Sequence, residues 1–175
     1  METKPVSHVM VGTILAAIGM IISLIGHFTK LIFAPWYGWL GIIILFVGII
    51  IATINNGRQL NGNVTFGNLF AYGFKTSAVY SCLIFLFTLL AVYVIFPGFV
   101  DEYIQKGLEM ARQSGKKIDE DQVTNNYPLV RKITVISIIA GSFIGSLIIG
   151  TIGAVIGAAI AKKNPQQQNP FGQQI

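Results

Sequence analysis

The chain has 175 residues, of which 53% are apolar and 11% charged, against about 25% charged in an average soluble protein. That composition excludes a water-solvated globular domain as the main architecture. The net charge of +5 comes from twelve Lys and Arg set mostly at the ends of apolar runs, with no basic face and no nucleic-acid motif, so no nucleic-acid partner is expected.

Four runs without charge, residues 9–28, 36–54, 78–96 and 133–161, are each long enough to cross a hydrocarbon core of about 30 Å, which takes about 20 helical residues. Helix is the economical conformation there, because an isolated strand leaves its backbone groups unpaired in lipid and the runs show no two-residue alternation. The first run follows Lys4 as a secretory signal would. It is about twice the length of a signal's apolar core and no small-x-small cleavage site follows, so it reads as a retained span. The fourth run, at 1.5 Å per residue, is about 43 Å long and should tilt or project into water.

The connections differ in character. The first is a tight turn around Lys30 and Pro35, followed by Trp36, Tyr37 and Trp39, aromatic residues suited to the lipid interface. In the second, residues 55–77, turn-forming Asn and Gly give way to Phe66, Leu69, Phe70, Gly73, Phe74 and Ser77 on one helical face. That segment is either an interfacial helix or an early start to the third span. The third connection, residues 97–132, is the sizeable hydrophilic part. Val100, Ile104, Leu108 and Ala111 recur at helical spacing, Ser114-Gly115 supplies a stop, and a second short helix begins near Asp119 and ends before Pro128. The tail after Lys163 is Gln-rich, has too little apolar surface to fold, and reads as disordered over 164–175.

These readings give an all-α membrane protein: four transmembrane helices in a single domain over residues 1–163, with a small extramembrane helical hairpin, the 97–132 cap, between the third and fourth. Small residues let helices approach closely in lipid, and they form two strong stripes. Gly12, Ala16, Gly19, Ser23 and Gly26 lie on one face of the first span. Ser142, Ser146, Gly150, Gly153, Gly157 and Ala161 lie within about 100° of arc on the fourth. The first and fourth spans are therefore the expected contact helices, whether with each other or with another copy. Weaker stripes occur at Gly41, Gly48 and Ala52 in the second span, and at Ser77, Ser81, Thr88 and Ala91 in the third.

Reaction chemistry is sparse. No Asp or Glu occurs between Glu2 and Asp101, so a carboxylate relay inside the spans is excluded and a proton- or cation-coupled transporter is not expected. His8 and His27 are separated by about 28 Å of helix and share neither a metal nor a proton. Cys82 is the single cysteine, which rules out an internal disulfide and a thiolate metal cluster. Tyr80 and Tyr93 read as packing residues, and no nucleophile has an evident base. Asp101-Glu102 and Asp119-Glu120-Asp121 read as solvated charge rather than as a lipid-phosphate or calcium site. No catalytic residue, cofactor or metal is expected. The expected role is association with a membrane partner or with another copy. A small carrier or channel for a neutral or anionic solute, with Ser77, Tyr80, Ser81 and Thr88 along a polar path, is the alternative, and a lipid-modifying enzyme ranks third.

With both termini in the cytoplasm, that side carries Lys4, Arg58, Lys75, Lys162 and Lys163, and the other side carries the remaining seven basic residues. The bare count favours the reverse. The basic residues of the long connection are, however, mixed with six acids, and Lys4 and Lys162-Lys163 flank the outermost spans, so cytoplasmic termini are expected.

The Gly-rich first span, the 58–74 segment with Gly62, Phe66 and Gly73-Phe74, the sequence Tyr93-Val-Ile-Phe-Pro97 before an amphipathic charged helix, and the Gly-rich last span together resemble a family of small bacterial membrane proteins described as a domain of unknown function, family 4199. The likeness covers nearly the whole chain except the Gln-rich tail. It implies a four-helix protein of the bacterial inner membrane and brings no functional residues.

Overall fold

A computed structural model describes residues 6–60, 64–115 and 120–163 and contains no strand among them. Four long apolar helices make it an all-α membrane protein: α1 (His8–Phe28), α2 (Pro35–Gln59), α3 (Phe66–Leu90) and α6 (Tyr127–Lys163). Two short helices, α4 (Phe99–Gln113) and α5 (Glu120–Asn125), form the cap between the third and fourth spans. The 164–175 tail, the Asp119 start and the 61–63 turn lie outside the described residues.

Local chemistry fixes the helix ends. The Ser7 hydroxyl accepts from the Val9 N–H at 3.2 Å, satisfying one free donor at the start of α1. Thr65 does the same for Asn68 at 3.3 Å, so α3 begins at Phe66 and runs without a break through Ser77 into the span. The 66–77 segment is therefore the first turns of the third span and not a separate interfacial helix. Pro35 opens α2, where its missing N–H costs nothing. Lys30, at φ 60°, takes the left-handed position after α1, from which a 3₁₀ turn (Leu31–Phe33) leads into α2.

α1 and α3 run one way, and α2 and α6 the other. Gly153 faces Phe46 and Ile49, and Gly157 faces Ile50 and Thr53, so α2 and α6 are parallel neighbours. The described chain ends thus lie at one end of the bundle and the cap at the other. α6 is about 55 Å long at 1.5 Å per residue, and its first turns project from the bundle to pack against α4. Val100, Ile104 and Leu108 of α4 lie with Val92, Val130 and Val135, the apolar side expected of that helix.

The two strong stripes do not meet each other. Gly12 and Gly19 of the first and Ser146 and Gly150 of the fourth meet α3, whereas Gly26, Gly153 and Gly157 meet α2; the contact of α3 with α6 is the most extensive of any helix pair, and that of α3 with α1 exceeds that of α1 with α2. A Cβ on Gly12 would collide with the Thr76 carbonyl and Val79, and one on Gly150 with the side chain of Ser77. Gly73 of α3 sits against Thr53 and Ala154. Ser146 donates to Ser81 at 2.8 Å across the same seam. Ser77 Oγ is sealed without a hydrogen-bond partner among the described residues, and the Cα–H of Gly150 is directed at it, a weak interhelical contact. Ala16 and Gly19 meet the Tyr80 region, while Gly26 is covered by the ring of Tyr37. Tyr37 is consequently not an outward belt residue like Trp36 and Trp39. It is buried, and its hydroxyl donates to the Ile22 carbonyl at 2.6 Å.

Substituting Gly150→Leu is expected to destabilise the protein by about 3 kcal/mol or more, because the added atoms meet Ser77 at a backbone seam that cannot open locally. Gly145→Leu, on a face with no atom within 4 Å, should change stability by about 0.5 kcal/mol or less. Thermal unfolding of both variants in one detergent measures the difference.

Candidate functional site

Pro97 organises the cap end. Its ring disfavours a helical residue before it and it has no N–H to continue α3, so the helix widens instead of stopping cleanly. Residues Ala91–Ile95 form a π turn, closed by the Phe96 N–H donating to the Ala91 carbonyl at 2.8 Å. This turn pushes Phe96 sideways onto His27, with ring centroids 3.5 Å apart and planes at 27°. Phe99 meets the other edge of the imidazole at 5.8 Å.

Beneath these rings lies a cavity of about 170 Å³ between α1, α3 and α6. Its walls are mostly apolar, from Ile32, Phe87, Val92 and Ile138, and its polar groups are Ser23, His27, Thr88 and Ser142. Thr88 donates to Ile84 O at 2.8 Å and Ser142 to Ile139 O at 2.8 Å, so both hydroxyls present lone pairs inward. Ser23 and His27 are one turn apart on α1, yet neither side chain makes a hydrogen bond with any described residue, and no polar group orients the ring on which Phe96 stacks. A nucleophile with a positioned base is therefore not assembled at this place. Among the described residues no three His, Cys, Asp or Glu side chains converge as a metal site would need.

The residues read together as a polar path do not line one. Ser77 and Ser81 are fully buried in the α3–α6 seam and Tyr80 nearly so, whereas Thr88 alone opens into the cap-end cavity. Of the stripe residues, Ser23 and Ser142 line this cavity, and Gly12, Gly19, Ser146, Gly150, Gly153 and Gly157 sit at helix seams. His8 is at the far end of α1, edge-on to Tyr72. The π turn was not foreseen from the sequence, although the Tyr93-to-Pro97 run carries its cause.

The cap is held over the site by polar tethers. Lys30 Nζ contacts both carboxylate oxygens of Glu102 at 2.8 Å, linking the α1–α2 turn to α4. Asp101 Oδ1 accepts from the Tyr127 hydroxyl at 2.6 Å and from Arg131 Nε at 3.0 Å, linking α4 to α6. The Tyr127 hydrogen bond first, and Arg131 after it, hold the Asp101 carboxyl below its usual range despite partial desolvation.

A family model described as protein of unknown function (DUF4199) matches residues 10–163, all four long helices and the cap. No curated protein and no solved structure matches the chain.

Because the Asp101 carboxyl is lowered in the folded state, its stabilisation is complete above the ordinary value of 3.8 and is lost as pH falls through the folded value beneath it. Unfolding temperatures of the protein and of Asp101→Asn are expected to differ by a constant amount at neutral pH and to converge in acid as the pH falls through the folded value of Asp101. A pH series of thermal melts checks this.

Proposed function

We propose that this chain, which belongs to the DUF4199 family, works by associating within the membrane, with a partner membrane protein or with a second copy, and catalyses no reaction. One observation carries the reading: close-approach surface is left over after the bundle has packed. In the half away from the cap, glycines of α2 and α6 are covered, Gly48 by Leu15, Gly57 by Leu69 and Ala161, Gly153 and Gly157 by α2. In the cap half, Gly38 and Gly41 on α2 and Gly141 and Gly145 on α6 have no atom within 4 Å of where a Cβ would sit. Ser137, Gly141 and Gly145 follow at four-residue steps on α6, and Ser137 and Gly141 are exposed. Such spacing lets a further helix approach to backbone contact. The natural setting of this reading is the bacterial inner membrane with both termini in the cytoplasm, which puts Lys4 and Lys162-Lys163 on the inner face.

Purified under mild extraction, the protein is expected to carry a stoichiometric companion or to dimerise. The double substitution Gly141→Leu with Gly145→Leu should weaken that association about tenfold while leaving the unfolding temperature unchanged. Only monomer without a companion, or specific solute flux into liposomes by that monomer, would overturn the reading. A periplasm-dependent phosphatase fused after Lys163 should be inactive, and activity would reverse the orientation.

A further inference from the structure

The opposite end of the bundle has a cavity of its own, about 280 Å³, between α1, α2 and the second turn of α3. Its mouth is polar: Asn55, Asn56, Gln59 and Tyr72 stand there. Two of them hold the backbone of Val6 across the opening, since Gln59 Oε1 accepts from the Val6 N–H at 3.0 Å and the Tyr72 hydroxyl donates to the Val6 carbonyl at 3.0 Å. The rest of its lining is apolar, with Leu15 and Gly48 inside and the half-exposed Ile51 at the side. From Gln59 to Gly48 is eleven residues of α2, a depth of about 16 Å.

Asn56 is the unexplained group. Its residue is 8% exposed, its carboxamide makes no hydrogen bond with any described residue, and its polar atoms, unlike Ser77 Oγ, are not sealed but open to the cavity. The amide offers both a donor and an acceptor, and among the described residues no Lys, Arg, Asp or Glu lines the cavity, so the complement is uncharged and bears both hydroxyl and carbonyl. A volume at the lower edge of small-molecule sites takes a head and the start of one chain, and excludes a two-chain lipid. The polar mouth and apolar lining match the order of such a molecule entering from the membrane boundary.

We propose that this cavity binds a neutral single-chain amphiphile with a hydroxyl- and ester-bearing head, of the monoacylglycerol class, with the head on Asn56 and the chain against Leu15 and Ile51. The full-length protein, delipidated in detergent, would be titrated with monooleoylglycerol and separately with oleate, and read by native mass spectrometry and thermal shift. A one-to-one adduct with monooleoylglycerol is expected, with a raised unfolding temperature and weaker binding of oleate. Asn56→Leu should keep the fold and lose affinity about tenfold. Ala52→Leu, which fills the cavity from α2 one turn below Asn56 and leaves the amide in place, should lose it as well. Absence of the adduct, equal binding by Asn56→Leu, or oleate binding as tightly would each overturn the proposal. None of these outcomes depends on the oligomeric state, so the result is separate from the association reading.

Discussion

Everything in this bundle depends on how closely α3 can be approached. In lipid the hydrophobic effect does not draw helices together, so packing contact and hydrogen bonding must do so, and both fall off steeply with distance. α3 meets this with Gly73 and with small polar residues. Thr76 donates to the Tyr72 carbonyl at 2.9 Å, and across the seam Thr53 donates to Ile49 at 2.8 Å. With the donor spent inside its own helix, each residue presents a short compact surface. Glycines of the neighbours, Gly12 from α1 and Gly150 from α6, then settle against α3 itself. Side chains whose composition suggested a solute path are thus fillers of a close seam.

A tightly closed middle leaves variety to the ends. At the cap end the Pro97 constraint widens α3 and inserts Phe96 beside His27, which opens a small space among Ser23, Thr88 and Ser142. At the other end α2 continues past its apolar stretch and carries Asn55, Asn56 and Gln59 to the edge of the bundle. The two spaces are separated by fully buried Ala16, Ile49 and Ala154, and they differ in polarity profile. The cap-end space buries its hydroxyls below aromatic rings, whereas the other has its polar groups at the mouth and its apolar surface below.

The spans were legible because lipid imposes a length and a polarity that few other environments demand, and the 97–132 cap was legible from the spacing of Val100, Ile104 and Leu108. The partner of each stripe was not. Glycine advertises a close approach but not its target, and α3 advertises weakly because Ser and Thr also occur where nothing packs. The 66–77 segment was ambiguous for a related reason: Phe66, Phe70 and Phe74 suit an interface as well as a helix end, and only the Thr65 cap joins them to the span. Asn56 was invisible as a site residue, since an Asn-Asn-Gly sequence after an apolar run reads as a turn. It became informative once α2 was seen to continue to Gln59 and bury it.

One aromatic residue accounts for the unequal halves of the α2–α6 contact. Tyr37 lies over Gly26, where only hydrogen leaves room for the ring, and its hydroxyl is fixed to Ile22. That pair draws the start of α2 toward α1. Farther along, Gly153 and Gly157 draw the rest of α2 onto α6. A straight helix held to different neighbours at its two ends must leave one of them along the way, and α2 leaves α6 in the cap half. Gly38, Gly41, Gly141 and Gly145 stay uncovered there because of geometry, although their chemistry equals that of the covered ones. The surface proposed for association is therefore a consequence of Gly26 accepting Tyr37.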